Sequence, residues 1–164
     1  MALLPHVVSN GPYSALDNLG PGGAAYPSAH LIVYCPIRVP SADTVRRVFW
    51  DNDNVVSGNV NVGLYSATGT RLWALGSTAQ SGTSAIQFAD IADQALAAGL
   101  YYMAFQCDNT SAKFGRMNPA AYIAQSRGVL EEQAASFALP ATATFAKATN
   151  SYIPVFGLDL RGAL

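Results

Sequence analysis

The sequence predicts an all-β protein that folds as an antiparallel β-sandwich. The apolar residues occur in short or alternating runs, and turns rich in Gly, Asn and Ser separate those runs. No segment shows the sustained periodicity of a long helix. The 164 residues are enough for one domain with a buried core.

The first half of the chain contains the clearest strand signals. Residues 31–35 form an apolar run that ends at Pro36, as expected of a buried strand. Residues 44–50 form a second predicted strand, which the polar turn 51–54 closes. In the third strand, the residues assigned to the core face are Val60, Val62 and Leu64, and the opposite face consists of Asn59, Asn61, Gly63 and Tyr65.

Three further strands are predicted before residue 110. A tight turn over residues 66–70, with Gly69 at positive φ, leads into a returning strand at 71–75. A short strand is predicted over 86–88, and a longer one over 100–107. The core face of that longer strand is predicted to consist of Tyr101, Met103, Phe105 and Cys107.

The pattern is weaker beyond Asn109. Residues 122–124 are compatible with a strand, whereas residues 129–135 contain good helix formers, which favour a turn or two of helix. A final strand is predicted over 152–160, where Pro154 is typical of a sheet edge.

Residues 1–29 are rich in Gly, Pro, Ser and Asn and are predicted to form an extended N-terminal arm, with the sandwich domain spanning 30–164. Two interpretations of the arm stay open: a frayed terminus, or an arm laid across a neighbouring subunit. Residues 20–25 fit the pattern G-x-G-x-x-A, but the strand and helix that a dinucleotide site requires do not flank them. We therefore predict no cofactor.

The chain is poor in charge. Charged residues make up 12% of the sequence and the net charge is −1, whereas soluble domains typically contain about 25%. Part of the surface is therefore expected to be buried against another subunit or partner. The largest basic cluster is Arg46–Arg47, and no apolar run approaches the ~20 residues of a membrane span. We predict neither nucleic acid nor membrane as a partner.

The N-terminus lacks the basic and apolar regions of a signal peptide. We expect a protein made in a reducing cytosol, in which Cys35 and Cys107 are buried thiols rather than a disulfide.

Two segments resemble a known group of proteins. Residues 60–72 read VNVGLYSATGTRL, and residues 96–104 read LAAGLYYMA. This pattern resembles the jelly-roll sandwich domains of bacteriophage virion proteins and the related sandwich of carbohydrate-binding modules; residues 25–27 and 45–50 fit the same pattern. The resemblance implies a jelly-roll fold and a place in the virion, in a capsid decoration (cement) protein, a tail component or a fibre tip. It carries over no functional residues, because the shared motif contains no catalytic set.

The sequence shows no catalytic set of its own. Neither G-x-S-x-G nor H-E-x-x-H is present, and the only histidines, His6 and His30, lie in or beside the predicted arm. We predict that the protein is not an enzyme, and we assign no metal site. Asp51 and Asp53 could supply oxygen ligands to calcium, but their turn departs from the EF-hand spacing. A turn bonded by its own side chains explains the same residues.

One candidate contact surface follows from the strand faces. If the third strand and the strand over 100–107 are neighbours, their outer faces form a surface rich in amides and tyrosines. Its members are Asn59, Asn61, Tyr65, Tyr102 and Gln106. Such a surface can bind sugar by ring stacking and amide hydrogen bonds, or it can be a subunit contact. The low charge of the chain favours the subunit contact.

We therefore expect a non-enzymatic structural protein of a bacteriophage virion, made in the host cytoplasm. The most direct form of this hypothesis is a capsid decoration protein that assembles through its N-terminal arm and low-charge surfaces. The expected partners are the major capsid or tail protein and further copies of the chain, in a closed homo-oligomer such as a trimer. The alternative hypothesis is a carbohydrate-binding module, or a tail or fibre component that binds glycans.

Overall fold

A computed structural model describes residues 7–9, 23–117 and 121–159. Within these ranges the chain forms short strands and one short helix, α1 (Ala121–Ser126). The strands are β1 (Val7–Ser9), β2 (Ala24–Ala25), β3 (Leu31–Val39), β4 (Asp43–Asn52), β5 (Asn59–Ser66), β6 (Arg71–Ala74), β7 (Thr78–Ala79), β8 (Ala85–Leu96), β9 (Gly99–Cys107), β10 (Lys113–Phe114), β11 (Arg116–Met117), β12 (Leu130–Gln133), β13 (Ala146–Lys147), β14 (Ile153–Pro154) and β15 (Phe156–Asp159).

The strands form two antiparallel sheets that pack against each other. The first sheet has the order β1-β15-β4-β10-β2, and β8 pairs with β4 along the edge opposite β15. The second sheet has the order β13-β12-β3-β9-β5-β6, with β7 also on β5. β11 and β14 form a separate pair. The predicted all-β antiparallel sandwich is confirmed.

The core lies between the two sheets and is built by the alternation read in the sequence. The predicted core face of β5 is fully buried, as are Met103 and Phe105 on the neighbouring strand β9. Trp50 lies in the same core, and the Tyr26 hydroxyl lies 3.0 Å from each of the carbonyl oxygens of Leu31 and Phe105, which share its single proton. This hydrogen bond satisfies a polar group that would otherwise be costly to bury.

The turn and cysteine predictions are confirmed. Gly69 has a φ of 88°, its N–H donates to the Ser66 carbonyl oxygen at 3.0 Å, and the Ser66 N–H donates to the Thr70 carbonyl oxygen at 2.8 Å. Cys35 and Cys107 are both buried thiols. Burial raises the pKa of the Cys107 thiol to about 11.

Some residues on the N-terminal side of residue 30 belong to the sandwich. β1 pairs with β15, β2 pairs with β10, and Tyr26 is part of the core. Residues 1–6 and 10–22, the rest of the predicted arm, lie outside the described residues, so the arm stays a prediction there.

Two assignments beyond Asn109 are wrong. Residues 122–124 lie in α1 rather than in a strand, and Gly128, with a φ of 76°, follows the end of this helix. Residues 130–133 form β12 rather than a helix, because all four pair with residues 31–34 of β3. Backbone pairing and the burial of Glu131 outweigh the helix propensity of this segment.

The predicted final strand is divided at Val155. β14, which contains Pro154, pairs with β11 outside the two main sheets, and β15 lies between β1 and β4 in the first sheet. The last residue of the prediction, Leu160, lies outside the described residues.

Candidate contact surfaces

The five predicted contact residues lie on neighbouring strands. β5 pairs with β9 over seven positions, which places Asn61 opposite Gln106 and Tyr65 opposite Tyr102. The strand adjacency on which the prediction depends is therefore confirmed.

The same face is nevertheless covered by the chain itself. Tyr65, Gln106 and Asn61 are buried, so the prediction that they lie on an outer surface is wrong. The covering residues are 134–145, which we call the cover segment; its Leu139 is buried against Tyr65, and its Phe145 packs on the same cluster.

Hydrogen bonds hold the cover segment on the second sheet. Main-chain bonds join Arg71 N to the Ala141 carbonyl oxygen and Ala143 N to the Gly69 carbonyl oxygen, each at 2.9 Å. The Tyr65 hydroxyl donates to the Pro140 carbonyl oxygen at 2.7 Å, and burial raises the pKa of this tyrosine to about 12.

The buried amides are also bonded within the chain. The Gln106 side-chain amide donates to the Ser136 and His30 carbonyl oxygens, each at 3.1 Å. The Asn61 side-chain oxygen accepts from Gly76 N at 3.0 Å. These two amides are therefore structural groups that fix loops to the sheet.

The other two predicted residues are half-buried at opposite ends of the strands. Asn59 donates from its main chain and its side chain to Asp108, at 3.0 Å and 2.8 Å. Tyr102 packs on Phe145 with ring centroids 4.8 Å apart. Two strand positions away, Leu100 is 50% exposed, so Tyr102 and Leu100 form a small apolar platform at this end of the second sheet.

Residues 51–54, predicted as a turn, begin inside a strand, because β4 includes Asp51 and Asn52. The Asn52 amide points to the opposite side from its neighbours and donates to Gln87 Oε1 at 2.9 Å and to the Ser81 carbonyl oxygen at 2.6 Å. Burial, and then the charge of Asp53, raise the pKa of Asp51 above its usual value. Across the described ranges, no three His, Cys, Asp or Glu side chains are grouped so that they could hold a metal ion.

A groove of about 270 Å³ lies beside β12 and β13, and Glu131 is its most buried charged group. Both oxygens of the Glu131 carboxylate already accept hydrogen bonds from the chain. The donors are the main chain and side chain of Thr149, at 2.8 and 3.1 Å, and those of Asn150, at 3.1 and 3.2 Å. Glu131 therefore fixes the loop after β13.

A more open apolar surface lies on the outer face of the first sheet, at β8. Ile86 is 52% exposed and Phe88 is 51% exposed. Phe88 lies opposite Phe49 of β4, with ring centroids 5.9 Å apart, and the Arg47 guanidinium lies 4.9 Å from the centre of the Phe88 ring. Arg47 is itself fixed by Asp159, which accepts from its Nε at 3.0 Å.

The same strand has an open side. β8 is twelve residues long and, in the part of the chain that the structure describes, pairs only with β4. We call the unpaired side of β8, together with Ile86 and Phe88, the β8 edge. The sequence predicted a strand here but not its exposure, because the alternation of Ile86 and Phe88 with Gln87 normally indicates that the apolar side chains face the core.

The described ranges contain no helix with the length and apolar character needed to cross a bilayer. Comparison with protein-family models, with curated proteins and with solved structures finds no match to this chain.

Proposed function

We propose that this chain is a non-enzymatic structural protein of a bacteriophage virion, and that it decorates the capsid by assembling with other virion proteins and with copies of itself. The observation that carries the proposal is the β8 edge. A long strand that pairs on one side only, among the described residues, and has two half-exposed apolar side chains is a surface suited to association.

Leaving the β8 edge exposed to water costs free energy. An unpaired strand presents a row of backbone donors and acceptors, and native proteins usually shorten, charge or cover such strands. β8 extends over about 40 Å at about 3.3 Å per residue. Full burial of a side chain such as that of Ile86 or Phe88 contributes about 1.5–3 kcal/mol. A partner strand that pairs with β8 would bond its free backbone donors and acceptors and would also bury the side chains of Ile86 and Phe88.

The strand order supports the jelly-roll part of the proposal. Eight of the strands can be numbered first to eighth in chain order: β1, β3, β4, β5, β6, β8, β9 and β15. In this numbering the first sheet has the order first-eighth-third-sixth. The second sheet then has the order second-seventh-fourth-fifth. This order of eight selected strands is compatible with a jelly roll, an architecture found in viral capsid proteins and in lectins. Because a fold alone does not assign a function, the proposed place of this chain in a virion needs a separate test.

That test is the copy number of the chain in purified phage particles, measured by quantitative mass spectrometry against the major capsid protein. The proposal predicts a copy number of the same order as that of the capsid protein. A copy number far lower would overturn decoration in favour of a tail or fibre position. Absence from the particles would overturn the virion assignment altogether.

A second candidate function, glycan binding, is favoured by the platform of Tyr102 and Leu100. The Tyr102 ring is held by Phe145 at 4.8 Å, and an oriented aromatic ring can stack on a sugar. Titration with glycans of the host cell surface would test this function. Binding that is lost in Tyr102→Ala and kept in Ile86→Ala would support it, and equal behaviour of the two variants would contradict it.

A further inference from the structure

We propose that the β8 edge joins two copies of this chain, and that β8 of one copy pairs antiparallel with β8 of the other about a two-fold axis beside Phe88. This inference rests on the proposed assembly function and names the partner at the β8 edge. The partner is a second copy of the chain, which contributes the same surface.

The half of β8 that can accept a further strand is its first half. From Ala85 to Asp90 the strand pairs with β4 without interruption, and the register shifts only beyond Asp90. Such irregularities bend a strand and disrupt its ladder, so they disfavour further pairing there. In the regular half, alternate side chains are exposed, namely those of Ile86, Phe88 and Asp90. A partner strand is therefore expected along residues 86–90.

An axis at Phe88 keeps the new ladder within this regular half. It places the two Phe88 side chains opposite each other, and Ile86 of each copy opposite Asp90 of the other. Within each copy Phe49 already lies opposite Phe88, with ring centroids 5.9 Å apart. The aromatic rings of both copies would therefore form one row across a continuous sheet, and opposed aromatic pairs stabilise a sheet.

The charges around Phe88 are complementary between the two copies. The Arg47 guanidinium lies 4.9 Å from the centre of the Phe88 ring. With the axis at Phe88, Asp90 of the other copy is a diagonal neighbour of this ring, about 7–8 Å along the ladder and within reach of a long side chain. Arg47 also donates from Nε to Asp159 at 3.0 Å, but a guanidinium has enough donors for both carboxylates. Symmetry forms the Arg47–Asp90 contact twice.

The other acidic residue of β8 lies outside the paired stretch. Asp93 follows the register shift and lies 3.6 Å from Arg46 of its own copy. An axis at Asp90 would instead bring two carboxylates directly opposite each other, where like charges repel. A strongly basic partner strand would meet Arg46 and Arg47 of β4 beside the edge. The mixed charge of this surface therefore favours a second copy, which carries the same mixture.

A contact made by the same surface on both copies ends at two subunits. The proposal therefore replaces the expected trimer with a dimer. Because the paired stretch is short, the buried area is smaller than the roughly 1,600 Å² of a standard interface. We expect a weak dimer, with a dissociation constant on the order of 10–100 μM.

Sedimentation equilibrium of the full-length protein up to about 100 μM measures this association. Wild type should follow a monomer–dimer equilibrium with no larger species. Phe88→Lys should weaken the dimer by about tenfold or more, because it places two charges at the axis. Leu100→Lys is the matched control, since Leu100 is exposed to the same extent but lies on the second sheet; it should associate like wild type. Ile86→Lys replaces Phe88→Lys if thermal melting shows that the latter is unfolded.

The two aspartates of β8 separate this contact from a general charge effect. Asp90→Lys should weaken the dimer by about fivefold or more, because it places a cation beside Arg47 of both copies. Asp93→Lys makes the same change of charge outside the paired stretch, so its dissociation constant should stay within about twofold of the wild-type value.

Disulfide trapping tests the register. An equimolar mixture of Ile86→Cys and Asp90→Cys proteins keeps Phe88 and should form a mixed disulfide under mild oxidation, because the two positions are directly opposite. Either protein alone should cross-link about tenfold more slowly, since like positions lie about 13 Å apart along the ladder. Wild type under the same conditions gives the background from Cys35 and Cys107, which are buried.

Four results would overturn the proposal. They are a wild-type protein that stays monomeric at about 100 μM, growth of wild type beyond the dimer, dimerisation of Phe88→Lys as strong as that of wild type, and a cysteine mixture that cross-links no faster than its components. None of them would overturn the proposed virion role, because the copy number in particles tests that role separately.

Discussion

At the scale of single residues, the Tyr65 hydroxyl joins the second sheet to the cover segment. It donates to the Pro140 carbonyl oxygen at 2.7 Å, and its ring is buried between Tyr34 and Leu139. We expect Tyr65→Phe to lower the free energy of unfolding by about 1 kcal/mol, the net contribution of one hydrogen bond. Tyr65→Ala, which also leaves a cavity, should lower it by about 3–5 kcal/mol.

Urea denaturation of both variants checks this prediction. A value for Tyr65→Ala within about 0.5 kcal/mol of wild type, as is usual for surface substitutions, would show that this face is open to solvent.

Two aspartates are expected to affect stability in opposite directions. Burial raises the pKa of Asp108, but the bonds donated by Asn59 and Asn109 outweigh burial and hold the pKa below its usual value. Its contribution is therefore present above the unfolded-state pKa of about 3.9 and is lost as the pH falls through the folded-state value. Asp51, whose pKa is raised first by burial and then by Asp53, stabilises at low pH and loses that contribution as the pH rises through its folded-state value.

Accordingly, Asp108→Asn should lower the free energy of unfolding at pH 7, and Asp51→Asn should raise it. The difference for Asp108→Asn should shrink as the pH falls below about 4, and the difference for Asp51→Asn should shrink earlier, as the pH falls toward about 4 through the raised folded-state pKa. Urea midpoints at several pH values between 3 and 7 measure the effect. Shifts of the same sign at pH 7 would be inconsistent with the pKa directions given above.

At the scale of elements, β12 depends on one carboxylate. Glu131 accepts four hydrogen bonds from Thr149 and Asn150 and so anchors the chain that follows β13. Because a hydrogen bond to a charged group contributes about 1.5–3 kcal/mol, Glu131→Ala should loosen this loop and destabilise the protein by at least about 3 kcal/mol. Lys147, which is exposed in β13, should then become a faster site for trypsin.

Limited proteolysis followed by mass spectrometry identifies that cut. Glu131→Gln is the matched control, because its remaining side-chain oxygen can still accept from these donors; its cleavage rate should lie between those of wild type and Glu131→Ala. An unchanged rate in Glu131→Ala would show that the loop is held by other contacts.

The elements that the sequence predicts correctly are those with a repeating pattern. β5 alternates without interruption between aliphatic and other residues, so its core face follows from the sequence, and Gly69 marks the turn after it. β12 has no such pattern, and its Leu-Glu-Glu-Gln composition favours a helix. Its strand conformation comes from pairing with β3, a contact that joins residues about one hundred positions apart and leaves no local signal.

The candidate contact surface on β5 and β9 was predictable from the sequence only in part. Alternation places Tyr65 and Tyr102 on one face and makes their pairing a reasonable expectation. It does not reveal that residues 134–145 return over that face, because the cover segment has neither period two nor period 3.6. The exposed surface lies instead at β8, where the sequence predicts a strand but does not predict that one of its sides lacks a neighbouring strand among the described residues.

At the scale of the whole molecule, a sandwich with 12% charged residues has few charged side chains with which to cover its surface. The second sheet hides its outer face under the cover segment. The first sheet leaves one side of β8 unpaired within the described residues, with Ile86 and Phe88 about half exposed. Low charge and an open apolar edge together favour association over a solitary monomer.

Hydrogen–deuterium exchange of the wild-type protein, measured at about 1 μM and about 100 μM so that it brackets weak association, tests this central claim most directly. Amides of β8 that point away from β4 are exposed in the monomer and should gain protection at the higher concentration, while peptides from β5 and β9 should not change. Uniform exchange of β8 at both concentrations, or protection that appears elsewhere in its place, would contradict the claim that the β8 edge is where this protein assembles.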